Sequence, residues 1–158
     1  MIQKIEIPDG EDIEKSIPLL IEMLDIRIGL ETRALRLSIP NMTESDFEKA
    51  RNILVLYDAN ELPHGWSFLN LQFHLCLYEP CGRPKLLKLI EETATSFSQL
   101  SRARVSFVTG REVPHAEHVA MLKACMARNV NFAVSLLERH IEHTQHVLTE
   151  LGKRQSCN

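Results

Sequence analysis

The segment WSFLNLQFHLCLYE, residues 66–79, decides the fold that is predicted for this chain. It is apolar on nearly every face of a helical projection, and its polar interruptions are Asn70, Gln72 and His74. A helix that is apolar all round packs inside a larger assembly, because none of its faces suits water. Asn70 and His74 are four residues apart and therefore share a face. The segment predicts a central, buried helix that carries two polar groups into the core.

Helical patterns fill most of the chain on both sides of this segment. Apolar residues recur at helical spacing, and most glycines and prolines fall at the breaks between patterns. Ser16 is a good N-cap for the first helix, and Thr43 with Asp46 has the spacing of a capping box at the second. The predicted fold is all-α, an antiparallel bundle of six to seven helices. The predicted helices span about 16–38, 44–60, 66–78, 84–104 (as one helix or two), 115–128 and 131–151.

One domain is expected, because 158 residues can bury a core without disulfide or metal cross-links and no internal boundary is visible. The bundle is predicted to occupy residues 16–151. Residues 1–15 are predicted to be a linker or an N-terminal arm, and residues 152–158 a frayed tail.

Composition excludes several classes of protein. With 44% hydrophobic and 25% charged residues, the chain is not disordered over most of its length. No apolar run is long enough for a membrane span, and the first residues lack a secretory signal. The four cysteines form no C-x-x-C pair, so we expect a cytoplasmic protein with reduced thiols. The net charge of −3, without a basic stripe, argues against binding nucleic acid.

Three of the seven histidines lie at positions where a histidine is costly. His74 lies on the buried helix, and His118 continues the apolar stripe of the fifth predicted helix. His140 lies in the middle of the inward stripe of the sixth. His143 and His146 lie nearer the polar face of that helix, where solvated side chains are expected.

A single inward histidine is most often a core residue with a satisfied hydrogen bond. Three on three helices favour a shared partner, because an unpaired buried polar group costs about 1–3 kcal/mol. Helical bundles build metal sites from such inward side chains, and neutral imidazole binds Zn, Ni, Cu or Fe. The pattern leaves two interpretations open: a shared metal site, or a polar pocket for a small molecule.

Arginines on apolar faces have simpler interpretations when each is taken alone. Arg27 precedes Glu31 by four residues, the spacing of a helical ion pair worth a few tenths of a kcal/mol. Arg102 and Arg104 close the fourth predicted helix, where cations suit the helix dipole.

The ordered set of these residues resembles the FCD ligand-binding domain of GntR-family transcriptional regulators of the FadR type. Asn70, His74, His118 and His140 follow one another at spacings of 4, 44 and 22 residues. Three longer phrases carry the same resemblance across most of residues 17–151: DIRIGLETRAL (25–35), NLQFHLCLYEPCGRPKLLKLIEE (70–92) and EHVAMLKACMARNVNFAVSLLERHI (117–141).

The resemblance implies a domain that senses an effector and also forms a homodimer. In many members an Asp and three His hold a divalent metal, such as Zn or Ni, and a small organic acid binds beside it. The matching positions here are the proposed metal ligands Asn70, His74, His118 and His140, and the proposed effector-binding residues Arg27 and Arg104.

Two departures from the family pattern matter. Asn70 stands where the family has a carboxylate, and an amide oxygen is a neutral and weaker ligand. The metal is therefore expected to be weakly held and to attract an anionic effector, a carboxylate or hydroxy acid. Only some 15 residues precede the first long helix, so the winged helix-turn-helix DNA reader of the family is expected to be absent from this chain. DNA would then be reached only through that missing N-terminal domain.

The function predicted from the sequence is an effector-sensing, dimerising domain of a transcriptional regulator, without catalytic activity and without contact to membranes. The alternative is a small helical metalloenzyme in which three histidines hold a metal that activates water. Glu117 is the acid that would have to serve as its general base.

Overall fold

The computed structural model of the chain describes residues 16–96 and 99–155. Within these ranges the chain forms seven α-helices and no strand, so the all-α prediction is confirmed. Two 3₁₀ turns, Ile39–Asn41 and Glu79–Cys81, follow the first and third helices. The helices are α1 (Ile17–Ser38), α2 (Glu44–Ala59), α3 (Pro63–Tyr78), α4 (Pro84–Ala94), α5 (Gln99–Thr109), α6 (Glu112–Met126) and α7 (Val130–Gln155).

Several helix bounds differ from those predicted. Helix α3 begins at Pro63 rather than Trp66, because proline suits the first turn of a helix, where its missing N–H has no intrahelical partner. The stretch after Pro84, predicted as one helix or two, forms two helices, α4 and α5. Helix α7 continues to Gln155, so its end lies inside the segment that was expected to be frayed.

The two predicted N-caps differ in outcome. Thr43 forms the predicted capping box: its hydroxyl oxygen accepts from the Asp46 N–H at 3.4 Å, and its own N–H donates to the Asp46 carboxylate at 2.7 Å. Ser16 occupies the N-cap position of α1, but its side chain makes no capping hydrogen bond there. The start of α1 relies instead on Pro18 in its first turn.

The core lies where α1, α3, α6 and α7 meet. Helix α1 packs along α7 and against α4, while α3 packs between α2 and α5, and α6 packs on α7 and α2. Each large apolar side chain that is fully buried stabilises the fold by about 1.5–3 kcal/mol. Those with essentially no exposure include Leu35, Ile39, Phe73, Met121, Leu137, Ile141 and Leu148.

Helix α3 is buried only in its second half. From Phe73 to Tyr78 its side chains are almost all buried, but Phe68 in the first half is 54% exposed. The helix predicted to be central and buried is therefore buried over its second half, while its N-terminal turns are partly exposed. An apolar face allows a helix to be buried, but neighbouring elements decide how much of it is covered.

Arg128 links the turn between α6 and α7 to the connection between α1 and α2. It takes the left-handed conformation, with φ of 57°, in the turn between α6 and α7. Its guanidinium donates to the backbone oxygens of Ile39 and Met42, in the connection between α1 and α2, and lies 5.1 Å from the Phe47 ring centre. These contacts attach the turn between α6, which carries His118, and α7, which carries His140, to the end of α1.

The cysteines and the hydropathy of the helices can be described for residues 16–96 and 99–155. Cys76, Cys81 and Cys125 are buried free thiols, and Cys157 lies outside the described residues. None of the helices in residues 16–96 and 99–155 is long and apolar enough to cross a membrane.

Candidate metal centre

Three buried imidazoles from three helices converge at one point. Nε2 of His140, on α7, lies 3.2 Å from Nε2 of His74 on α3 and 3.3 Å from Nε2 of His118 on α6. The three residues are at most 7% exposed. Their nitrogen ligand atoms all lie within 4.8 Å of one another. The convergence expected from the sequence is thus observed.

The spacing of these nitrogens suits a metal ion. A transition metal bound to imidazole has metal–nitrogen distances of about 2.0–2.1 Å. Two such nitrogens separated by 3.2–3.3 Å then subtend about 100° at the ion, between the octahedral and tetrahedral angles. His140 can therefore share a metal ion with His74 or with His118, and the ligand atoms of all three residues lie close enough together to make them a candidate ligand set.

A carboxylate contacts the outer nitrogen of His140, that is Nδ1, the ring nitrogen that does not face the other two histidines. Its Nδ1 lies 2.6 Å from Oε2 of Glu117, and Nδ1 of His143 lies 3.3 Å from the other oxygen of the same carboxylate. An ionised carboxylate only accepts hydrogen bonds, so Nδ1 of His140 carries the proton. Hydrogen on Nδ1 leaves Nε2 as the nitrogen that can bind a metal.

The outer nitrogen of His74 is held by a longer chain of groups. Its Nδ1 lies 3.1 Å from the hydroxyl oxygen of Tyr78, and that hydroxyl donates to Oε2 of Glu31 at 2.6 Å. With its proton directed at Glu31, the Tyr78 oxygen is placed to accept a hydrogen bond from Nδ1 of His74.

With hydrogen on both Nδ1 atoms, the Nε2 lone pairs of His74 and His140 would face each other at 3.2 Å, an arrangement that a bridging cation makes favourable. The donor set therefore fits a metal ion. His118 differs from the other two, because its buried Nδ1 has no hydrogen-bond partner among the described residues.

Burial also keeps the imidazoles in the form that a metal requires. Burial, followed by the neighbouring imidazoles, lowers the pKa of both His74 and His118 well below the usual value. Both rings are neutral near pH 7, when protons do not compete with a metal for Nε2.

A cavity of about 120 Å³ opens beside the triad at His140. Its polar wall includes Arg27, Asn70 and Arg102. Residues with hydroxyl side chains from α3, α4, α5 and α7 also line it, namely Ser67, Thr93, Ser106, Thr109 and Thr144. The apolar part of the wall comes mainly from Leu20, Met23, Leu24, Leu71, Val105, Pro114, Ile141 and Leu148. A small molecule with one charged end and a short apolar or hydroxylated body matches this mixture.

The other residues singled out in the sequence have different outcomes. Asn70 lies in the cavity wall with His140, and its role as a ligand stays a prediction. Arg27 lines the cavity and forms the expected pair with Glu31, with Nε 2.6 Å from Oε1. The side chain of Arg104 lies outside the described residues, so its role also stays a prediction. His146 is exposed, as expected.

Sequence reasoning does not predict the place of Tyr78, Glu31 and Arg102 in the site. Tyr78 is four residues after His74, as His74 is four after Asn70, so extending that helical face by one turn would have found it. The spacing of Glu31 from Arg27 predicts their helical ion pair, but it does not predict that Glu31 is only 1% exposed. Arg102 is expected to complement the helix dipole, and no pattern in the sequence distinguishes it from Arg104.

Comparison with known proteins identifies the family. The family model described as the FCD domain matches residues 22–143, most of the chain. The chain belongs to the FCD domain family. No curated protein matches it.

Two solved structures resemble this FCD domain. One is a GntR-family transcriptional regulator from Pseudomonas syringae pv. tomato, with TM-score 0.78 and 24% identity over 89% of this chain and 60% of that one. The other is McbR/YncC of E. coli, with TM-score 0.67 and 17% identity over 82% of this chain and 67% of that one. At such identities the likeness establishes the shared fold. The chain spans about three fifths of the first regulator's length.

FCD domains are the regulatory, effector-binding part of GntR-family regulators, and this chain is such a domain. Its cavity and its histidine triad lie where α1, α3, α6 and α7 meet. A ligand that touches both would therefore contact the elements that build the core.

Proposed function

We propose that this FCD domain senses a small organic acid that binds beside a divalent metal ion. The ion is held by His74, His118 and His140, with Asn70 as a weaker fourth ligand. The observation that carries the proposal is the convergence of three buried imidazoles beside a cavity that His140 and Arg27 line. FCD membership supports the sensory role.

The charge of the site favours an anion. Three neutral imidazoles and an amide leave the positive charge of a divalent ion uncompensated within its ligand set. When bound, the ion supplies that charge and open coordination positions to a carboxylate oxygen. A cationic effector in the same cavity would face this charge with no compensating group, at a cost of several kcal/mol.

Arg27 provides the second anchor. Glu31 contacts its Nε at 2.6 Å and Nη2 at 3.3 Å, so the remaining Nη1 edge is the part available to a ligand. A guanidinium binds a carboxylate with planar, directional hydrogen bonds that an ammonium group does not reproduce. Arg102, on α5, adds a further positive charge to the cavity wall. The hydroxyl groups of the wall would select among acids by the hydroxyls those acids carry.

Binding is proposed to act allosterically. An acid between Arg27 on α1 and the triad on α3, α6 and α7 would favour one packing of these helices over another. In a homodimer that change would alter the spacing of paired DNA readers, which belong to another part of the regulator. Dimer formation is part of the proposal, and light scattering during gel filtration measures it directly.

The arrangement around Glu117 favours sensing over hydrolysis. In the metalloenzyme alternative, Glu117 would have to be free to take a proton as the general base. Both oxygens of Glu117 are engaged, one by His140 at 2.6 Å and one by His143 at 3.3 Å. Glu117 therefore orients imidazoles and is poorly placed to act as a general base.

A thermal-shift screen tests the proposal. The chain is loaded with Zn²⁺ or Ni²⁺ and melted with sugar acids, di- and tricarboxylates, amino acids, neutral sugars and polyamines. At least one acid is expected to raise the melting temperature, and to do so less after chelation of the metal. Stabilisation by neutral sugars or polyamines, with none from any acid, would contradict the proposal.

A further inference from the structure

A buried chain of hydrogen bonds connects the cavity wall to the metal centre. It runs from Arg27 to Glu31 on α1, across to Tyr78 on α3, and then to His74. Glu31 is 1% exposed and Tyr78 has no exposed surface. Neither residue lines the cavity, so contact with an effector does not explain why they are there.

The direction of every hydrogen bond in this chain is determined. Arg27 only donates, and its two contacts at 2.6 and 3.3 Å keep Glu31 as an ionised acceptor. The Tyr78 hydroxyl must then donate to Glu31, at 2.6 Å. Its oxygen is left as the acceptor for His74, whose Nδ1 lies 3.1 Å away and must carry hydrogen. The charge of Arg27 thus fixes which nitrogen of His74 is protonated.

We propose that Tyr78 and Glu31 are positioning residues for the metal centre, which hold His74 as its Nδ1–H tautomer with the Nε2 lone pair directed at His118 and His140. A free imidazole prefers the opposite tautomer, with hydrogen on Nε2, and that form would block the metal position. The inference rests on the proposed function, because it concerns the same centre. The tautomer, however, is a property of the metal-free protein and is measured separately.

The geometry around the other two histidines supports a specific role. His140 has an equivalent acceptor in Glu117, so two of the three ligands have their outer nitrogens fixed. His118 has no such partner among the described residues and is held instead between aromatic rings, with its centre 4.8 Å from that of Phe73 and 5.4 Å from that of Tyr57. The two oriented imidazoles, His74 and His140, would define the position of the ion, and His118 would complete the set of three histidine ligands.

Nitrogen-15 NMR of histidine-labelled, metal-free protein tests the proposal, because long-range proton–nitrogen couplings distinguish the two tautomers. Wild-type His74 is expected to show hydrogen on Nδ1. Tyr78→Phe removes the acceptor and should convert much of His74 to the Nε2–H form. Glu31→Gln keeps the tyrosine but weakens its orientation, and should produce a smaller change in the same direction.

Metal affinity provides the second measurement. Removing an outer partner of a metal-bound histidine typically costs 10–100-fold in affinity, and that range is expected for Tyr78→Phe with Zn²⁺ in a chelator competition. The matched control is Ser38→Ala, which deletes a buried hydroxyl that donates to the Leu77 backbone oxygen at 2.6 Å. It disturbs the same end of α3 and should leave both tautomer and affinity unchanged.

Two results would overturn the inference: wild-type His74 with hydrogen on Nε2, or Tyr78→Phe with the wild-type tautomer. Equal losses of affinity in Tyr78→Phe and Ser38→Ala would also do so, since they would reveal a merely structural role. A wild-type protein that binds no metal but shows the predicted tautomers would contradict the proposed function and leave the positioning role of Tyr78 supported.

Discussion

Glu117 and His140 are joined across the α6–α7 interface by a 2.6 Å contact between Oε2 and Nδ1. His118, the next residue after Glu117, faces the opposite nitrogen of the same ring at 3.3 Å. Two consecutive residues of α6 therefore contact the two nitrogens of His140: Glu117 accepts a hydrogen bond from Nδ1, and His118 places its own Nε2 beside Nε2 of His140. Glu117 and His118 together fix the orientation of the His140 side chain, a proposed metal ligand on α7.

Loss of a triad histidine should abolish tight metal binding. His74→Ala removes one of three ligands, and we expect Zn²⁺ affinity to fall by more than about 100-fold, beyond the loss typical of an outer partner. His146→Ala is the control, since His146 is exposed on the same helix as His140 and should change affinity little. Titration calorimetry measures both. Similar affinities for the two variants would show that the triad is not the metal site.

Asn70→Asp should tighten metal binding. It replaces a neutral oxygen by a charged one of the same reach, and we expect about a tenfold gain, or about 1.4 kcal/mol. Asn52→Asp, at an exposed position on α2, adds the same charge away from the site. Titration calorimetry with Zn²⁺ compares the two variants. If Asn70→Asp and Asn52→Asp changed affinity equally, Asn70 would have no place among the ligands.

The metal-free protein should lose stability as the pH falls below about 6.5. Burial lowers the pKa of His74 and His118 in the folded state, while both take up protons near 6.5 in the unfolded chain. The unfolded state thus binds more protons below that pH, and the free energy of unfolding falls. Above it both states are neutral, and the contribution is constant.

Two such groups give a slope of up to about 2.7 kcal/mol per pH unit. Urea unfolding between pH 5 and 8 measures this slope. His118→Gln should roughly halve it, whereas a substitution at exposed His64 should not. A slope that stays the same in His118→Gln would mean that other groups cause the acid sensitivity.

Arg27→Lys should weaken effector binding although the charge is kept. An ammonium group lacks the planar donors of a guanidinium, and it would pair with Glu31 through one contact rather than two. We expect about a tenfold loss of affinity for whichever acid the screen identifies, or about 1.4 kcal/mol. Arg33→Lys, exposed on the same helix, is the control. Unchanged binding in Arg27→Lys would remove Arg27 from the effector site.

Much of the fold and the triad could be predicted because both follow from helical periodicity. The stripe through His118, Met121 and Cys125 is buried as that spacing requires. The position of His140 within an apolar stripe likewise predicted its inward direction. The start of α3 was missed because proline, usually a breaker, also begins helices.

Other features depend on contacts between segments distant in sequence. Tyr78 meets Glu31 across 47 residues, and Arg128 reaches Ile39 across 89. A pattern within one helix predicts neither contact, because each contact joins residues that are far apart in the sequence. The burial of Glu31 has the same origin, because α3 covers a helix face that would otherwise be exposed to solvent.

Anomalous diffraction from crystals of the Zn²⁺- or Ni²⁺-loaded protein tests the central claim most directly. Data on both sides of the metal's absorption edge locate the ion without reference to the protein. We predict one strong peak about 2.0–2.2 Å from Nε2 of His74, His118 and His140, at the edge of the cavity that Arg27 lines. A loaded protein with its anomalous peak elsewhere, and the three imidazoles unliganded, would contradict the account.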